Sequence, residues 1–150
     1  MSEYNSTFLK FNGPSTLVHR YEHWSVLVRP KQVTAGSLVL VNNGPQIAFS
    51  ELPTAAFGEL GVVTADIEAT LSTVFSYDKI NYLMLMMVDP HVHFHVIPRY
   101  ENIVHFGTWE LEDSGWPGVP DLGSGSADPG LVDAVLARLR ADWPSALRRT

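Results

Sequence analysis

Apolar residues along this chain fall into strand-like runs, one long helical run, and a glycine- and proline-rich stretch before a last helical run. Residues 16 to 30, TLVHRYEHWSVLVRP, read as two strand-like pieces around a polar interruption, and the VTAG that follows reads as a turn. GSLVLVNNGP, 36 to 45, is a β-rich apolar run that stops at Asn42, Asn43, Gly44 and Pro45. Between Thr54 and Phe75 the apolar residues Phe57, Leu60, Ile67, Leu71 and Val74 recur at helical spacings, which predicts a helix covering a sheet with that face. Gly58 and Gly61 weaken the propensity of its first turns. NYLMLMMVDP and HVHFHVIPRY predict two extended segments, split by Asp89 and Pro90 at a hairpin or sharp bend.

After Tyr100 the pattern becomes irregular, above all in GWPGVPDLGSGSADPG, 115 to 130, and Trp109 and Trp116 are placed to pin this tail to the domain. A last helix is predicted with Asp128 as N-cap, Pro129 in the first turn, and Leu131, Val135, Leu136 and Leu139 facing inward. The pattern is α+β: a mainly antiparallel sheet, a long covering helix and a C-terminal helix. Residues 1–150 read as one domain, with a core over 16–100 and an irregular tail and terminal helix over 101–150.

Composition narrows the function. At 150 residues and 45% hydrophobic, the chain can bury a core without staples. It has no cysteine, which excludes disulfides, thiolate metal sites and a cysteine nucleophile. The opening MSEYNSTFLKFNGPS lacks the basic-then-apolar order of a secretory signal, and the run YLMLMMV is far too short to span a membrane. A soluble, cytoplasmic protein with no membrane partner is expected. Ten Lys plus Arg against sixteen Asp plus Glu give a charge of -6, which argues against a broad nucleic-acid surface and leaves any anionic ligand dependent on local donors.

The candidate chemistry lies in HVHFHVIPR, 91 to 99. On a strand, residues two apart share a face, so His91, His93 and His95 form a row with steps of about 6.5 Å, while Val92, Phe94 and Val96 face the other way. Three readings follow. The row can be a wet strand face. Two of its rings with His105, Glu101 or Asp89 can close a metal site, although a straight strand makes chelation by all three awkward. Or the row performs phosphoryl or nucleotidyl chemistry, the middle ring approaching phosphorus while its neighbours reach the oxygens that gather charge.

HVHFHVIPR resembles the signature of the histidine-triad family, in which three histidines alternate with hydrophobic residues. The likeness extends over 16 to 100, with GSLVLV similar to the family's glycine-led strand, 54 to 75 to its helix and KINYLMLMMVDP to its approach to the triad. The general likeness is to the diadenosine-polyphosphate hydrolase-like branch. The resemblance implies that His93 attacks an α-phosphorus to form a transient nucleotidyl-histidine resolved by water or another acceptor, with His91 and His95 binding phosphate oxygens and assisting the leaving group. A backbone carbonyl taking the proton of one His93 nitrogen would free the other for attack. Implied too are a nucleotide or dinucleotide phosphate ligand, a homodimer, and a covalent step that requires no cofactor, with a divalent cation serving as substrate counterion.

Departures from the family pattern are specific. The cations and auxiliary histidine that relatives carry after the glycine-led strand are replaced by Asn43, Gly44 and Pro45, and a glycine-asparagine pair before the triad by Met86 and Met87. Asn81 resembles the family's upstream nucleotide-contacting residue, and turn formation is its other reading. Arg99 reads as the nearest cation to the triad, a candidate for a distal phosphate or for an ion pair with Asp89 or Glu101. His19, His23 and His105 read as structural or solvent-facing, and Trp24, Trp109, Trp116 and Trp143 as packing residues. Beside a nucleotidyl hydrolase or transferase stand two alternatives: a nucleotide-binding or interaction module with little catalysis, and a histidine-ligated metal enzyme.

Overall fold

The computed structural model describes residues 3–144. Their framework is a five-stranded antiparallel sheet of order β1-β2-β3-β5-β4. Its strands are β1 (Leu17–Arg20), β2 (Trp24–Val28), β3 (Leu38–Asn42), β4 (Lys79–Leu83) and β5 (His93–Arg99). Every residue of β2 and β3 is buried, because both faces of the sheet are covered. That explains why WSVLV and LVLVN read as continuous apolar runs instead of alternating ones.

On one face Trp24, Val26, Val28, Leu38, Leu40 and Val96 form the main core with helices α2 (Thr54–Phe75) and α3 (Pro129–Asp142). On the other, Leu27, Val39 and Val41 pack against Phe8 of a short helix α1 (Ser6–Lys10). Asn5 caps α1 by accepting from the Phe8 amide at 2.9 Å. The sequence pattern did not anticipate this element, since five residues are too few to display a period.

Helix α2 has the bounds its periodicity predicts, yet its inward face is rotated. Ala56, Val63, Asp66, Ile67, Thr70, Leu71 and Phe75 are buried. Ile67 and Leu71 behave as expected, Leu60 and Val74 are only partly buried, and Phe57 is 40% exposed. Small Ala56 admits the helix to the sheet, where its carbonyl accepts from Trp24 Nε1 at 2.8 Å. Buried Asp66 is tolerated because Tyr21 donates to its carboxylate at 2.6 Å. Phe57 rests instead against Phe49, with ring centroids 5.2 Å apart.

Strand β4 ends at Leu83, and the connection to β5 includes Met86 in the left-handed region at φ 54°. The stretch after Tyr100 is more ordered than its pattern suggests. It contains a hairpin of β6 (Val104–Phe106) and β7 (Trp109–Leu111), whose strands are too short to be recognised by alternation. Gly107 at φ 58° allows the turn between them. Helix α3 matches expectation, with Asp128 capping the Gly130 amide at 2.9 Å and Leu131, Val135, Leu136 and Leu139 buried. Two tryptophans dock through hydrogen bonds, Trp109 Nε1 donating to Asp128 at 3.0 Å and Trp143 Nε1 to the Tyr21 hydroxyl at 2.8 Å, whereas Trp116 is half-buried. Among the described residues, no helix is long and apolar enough to cross a membrane.

Candidate active site

Strand β5 runs between β3 and β4, with His93 opposite Val41 and His95 opposite Val39. Cross-strand partners share a face, so both histidines project to the side covered by α1. His91 precedes the first strand residue, and its position is set by α1. Its backbone N–H donates to Thr7 Oγ1 at 3.1 Å, and its Nδ1 lies 3.0 Å from the same oxygen. The predicted straight row is thus two strand histidines preceded by one held by a helix.

His93 is buried, and its Nδ1 donates to the His91 carbonyl at 2.7 Å. A carbonyl only accepts, so Nδ1 holds a proton, and in the neutral ring Nε2 keeps its lone pair. The ring lies 5.9 Å from the Phe11 ring and 5.2 Å from the His95 ring, centroid to centroid. His95 is buried too, with Arg29 Nε 3.4 Å from its Nδ1. Burial, then the Arg29 charge, then His93 push its pKa down to about 4, with Asp89 opposing weakly. His91 is lowered as well, by burial and then by His93.

A cavity of about 270 Å³ opens beside His93 and His95. Phe11 and Leu122 contribute apolar surface, the segment from Leu85 to Asp89 forms another wall, and Lys10 and Arg29 bring positive charge. The expectation that Arg99 is the nearest cation is therefore corrected. Arg29, at the end of β2, reaches the triad because β2, β3 and β5 are neighbours in the sheet. The carboxylate that pairs with Arg99 is Asp113, not Asp89 or Glu101, and Asp89 lies 3.6 Å from Lys10. His91 does not line this cavity.

Arg99 and Asn81 come together elsewhere. Arg99 Nη1 donates to Asn81 Oδ1 at 2.8 Å, and Asp113 takes the rest of the guanidinium. Both line a separate cavity of about 470 Å³, walled by Lys79, Leu83 and residues 116–120. Asn43 ties a corner: its side chain accepts from Ser25 Oγ at 2.6 Å and donates to the Tyr21 carbonyl at 3.0 Å. Met84 and Met86 pack against the main core, whereas Met87 is exposed. His105 pairs with Glu110 at 3.6 Å on the β6–β7 hairpin and lines a cavity without triad residues. Among the described residues, no group of three or more His, Asp or Glu side chains is placed to hold a metal ion.

Thr7, Lys10, Phe11 and Arg29 are the site residues that sequence reading missed. Asn5 before STFLK is a helix-cap signal, but nothing local connects it with residues 91–95.

A family model described as HIT domain matches residues 10–102, more than half of the chain. Among solved structures, the chain is similar to a histidine triad protein from Bradyrhizobium japonicum, at 21% identity and a TM-score of 0.70, over 96% of this chain and 100% of that one. A histidine triad protein from Sinorhizobium meliloti gives 22% identity and a TM-score of 0.69, over 92% and 94%. One from Marinobacter aquaeolei gives 20% and 0.70, over 95% and 97%. At these identities the likeness concerns the fold. Comparison with curated proteins gives no match.

Proposed function

Because the chain belongs to the HIT family, we propose that it is a nucleotidyl hydrolase or transferase cleaving nucleotide phosphate anhydrides or phosphoramidates. The observation that carries this reading is the bond from His93 Nδ1 to the His91 carbonyl, which leaves Nε2 as the basic nitrogen of a ring on the cavity wall. In the first step Nε2 forms a bond to the α-phosphorus while the phosphorus bond to the leaving oxygen or nitrogen breaks, its electron pair departing with that atom. His91 and His95 assist at the oxygens and the leaving group. In the second step water, or another acceptor, attacks the phosphorus as its bond to Nε2 breaks, the electron pair returning to Nε2 and the acceptor's proton passing to solvent.

Lys10 and Arg29 oppose the charge of the phosphate chain at this cavity, a duty the residues after β3 do not perform. The covalent step needs no cofactor, and a divalent cation enters as counterion of the substrate. Asn81 and Arg99 are proposed ligand contacts only within their own cavity, where a distal part of a longer ligand would meet them. A homodimer joined along the open edge of β4 completes the proposal, to be checked by sedimentation.

One observation favours a binding module instead: the wall from Leu85 to Val88 offers no polar side chain to a phosphate oxygen. Rapid quench followed by intact-mass measurement, with dinucleoside polyphosphates and nucleoside phosphoramidates, separates the two. A nucleotidyl adduct present in the wild type and absent in H93A is expected. Nucleotide binding by calorimetry, with neither adduct nor turnover, would overturn catalysis and leave the module.

A further inference from the structure

We infer that Thr7 and Arg29 are positioning residues that fix the tautomers of His91 and His95, so that both outer rings bear their proton on Nε2 while the central ring bears it on Nδ1. The inference deepens the proposed function and rests on it for its catalytic meaning.

A neutral imidazole has one N–H and one lone pair, and whatever binds one nitrogen decides what the other can do. Arginine has donors only, so the Arg29 Nε contact with His95 Nδ1 at 3.4 Å requires the lone pair there. The proton of neutral His95 then sits on Nε2. The ring is neutral at ordinary pH, since burial and the adjacent guanidinium hold its pKa near 4.

Thr7 acts on His91 by a different route. Its oxygen already accepts the His91 backbone N–H at 3.1 Å, and its side chain is almost wholly buried. A buried hydroxyl proton needs an acceptor, and His91 Nδ1 at 3.0 Å is the one the described residues supply. Thr7 therefore donates to Nδ1, and the His91 proton also sits on Nε2.

With the bond from His93 to the His91 carbonyl, the Nε2 positions along residues 91, 93 and 95 read donor, lone pair, donor. Phosphorus requires the lone pair, and the phosphoryl oxygens around it require donors. In His95, which lines the cavity beside His93, the opposite tautomer would turn a lone pair toward those oxygens and remove that support. Neither positioning residue lies near the triad in sequence: Thr7 is 84 residues from His91 and Arg29 66 from His95.

The test reads ring nitrogens directly by ¹⁵N-detected NMR of the full chain without ligand. Wild-type protein at neutral pH should show a protonated Nδ1 for His93 and a protonated Nε2 for His91 and His95. R29E replaces a group that only donates with one that only accepts, and should move the His95 proton to Nδ1, with R29K restoring the original signature. T7V should mix the His91 tautomers, and T7S should restore one. In turnover, R29E and T7V should lower kcat about 10- to 100-fold, with rescue by R29K and T7S. A proton on Nδ1 of His91 or His95 in the wild type overturns the inference, as does an R29E spectrum with the His95 pattern unchanged. The wild-type spectrum decides even where a variant fails to fold. The nitrogens are read without substrate, so correct tautomers with no nucleotidyl adduct would sink the proposed function and leave the tautomer assignment standing.

Discussion

Arg99 and Asp113 meet at two points inside the protein, Nε donating to Oδ2 at 2.7 Å and Nη2 to Oδ1 at 3.1 Å. Asp113 also accepts from the backbone N–H groups of Tyr100 and Gly115, each at 3.2 Å. Burial alone would raise the Asp113 carboxyl, and the Arg99 and backbone hydrogen bonds outweigh it and hold the group below the usual range. R99M should strand a buried carboxylate and cost about 3–5 kcal/mol in denaturant unfolding. R99K should recover only part of that, because an ammonium cannot span both oxygens. A loss below about 1 kcal/mol in R99M would contradict this account.

Stability should fall as the solution is acidified. His95 is held near 4 when folded, against an ordinary 6.5, and His91 is lowered as well. Between those pH values the unfolded chain binds more protons, so the stability present above about 6.5 is lost progressively as pH falls toward 4. Asp113, also depressed, adds a further loss only below about 3.9, where its unfolded form protonates. Thermal midpoints from pH 7 to 3 should show both limbs, and H95N should flatten the upper one alone.

Met86 occupies the left-handed region at φ 54°, which favours glycine. The informative comparison is M86A with M86G, since both remove the side chain. Glycine should be the more stable by about 1 kcal/mol, against the ordinary order of the two residues. Urea midpoints measure the difference.

Lys10 is well exposed, so its pull on a phosphate chain should be modest and screened by salt. K10M should weaken binding of inorganic tripolyphosphate by a factor of about two to five and reduce its salt dependence. Calorimetry at two ionic strengths checks both effects.

Much of the scaffold was legible because long segments reveal their period. Thr54 to Phe75 emerged with both ends correct, and the alternation in HVHFHVIPR put His93 and His95 on one face of a strand. The inward side of α2 was misjudged because Phe57 advertises a core contact that the small Ala56 makes. The surroundings of the triad were hidden for a topological reason. Arg29 approaches His95 only once β3 separates and aligns β2 and β5, and Thr7 approaches His91 only once Phe8 has docked on the same sheet face. Arg99 found Asp113 in an acidic stretch, Glu110 to Asp113, where nothing local singles out one carboxylate as the partner.

Residues 10, 11, 29, 85 to 89, 93, 95 and 122 all border the cavity, and they reach it from widely separated parts of the chain. No excised peptide could therefore reproduce the recognition surface, and a nick between α1 and β1 would sever its roof from its floor. Occupancy by a ligand should consequently slow amide exchange in elements it never touches, since guarding the assembled pocket means guarding the sheet that assembles it.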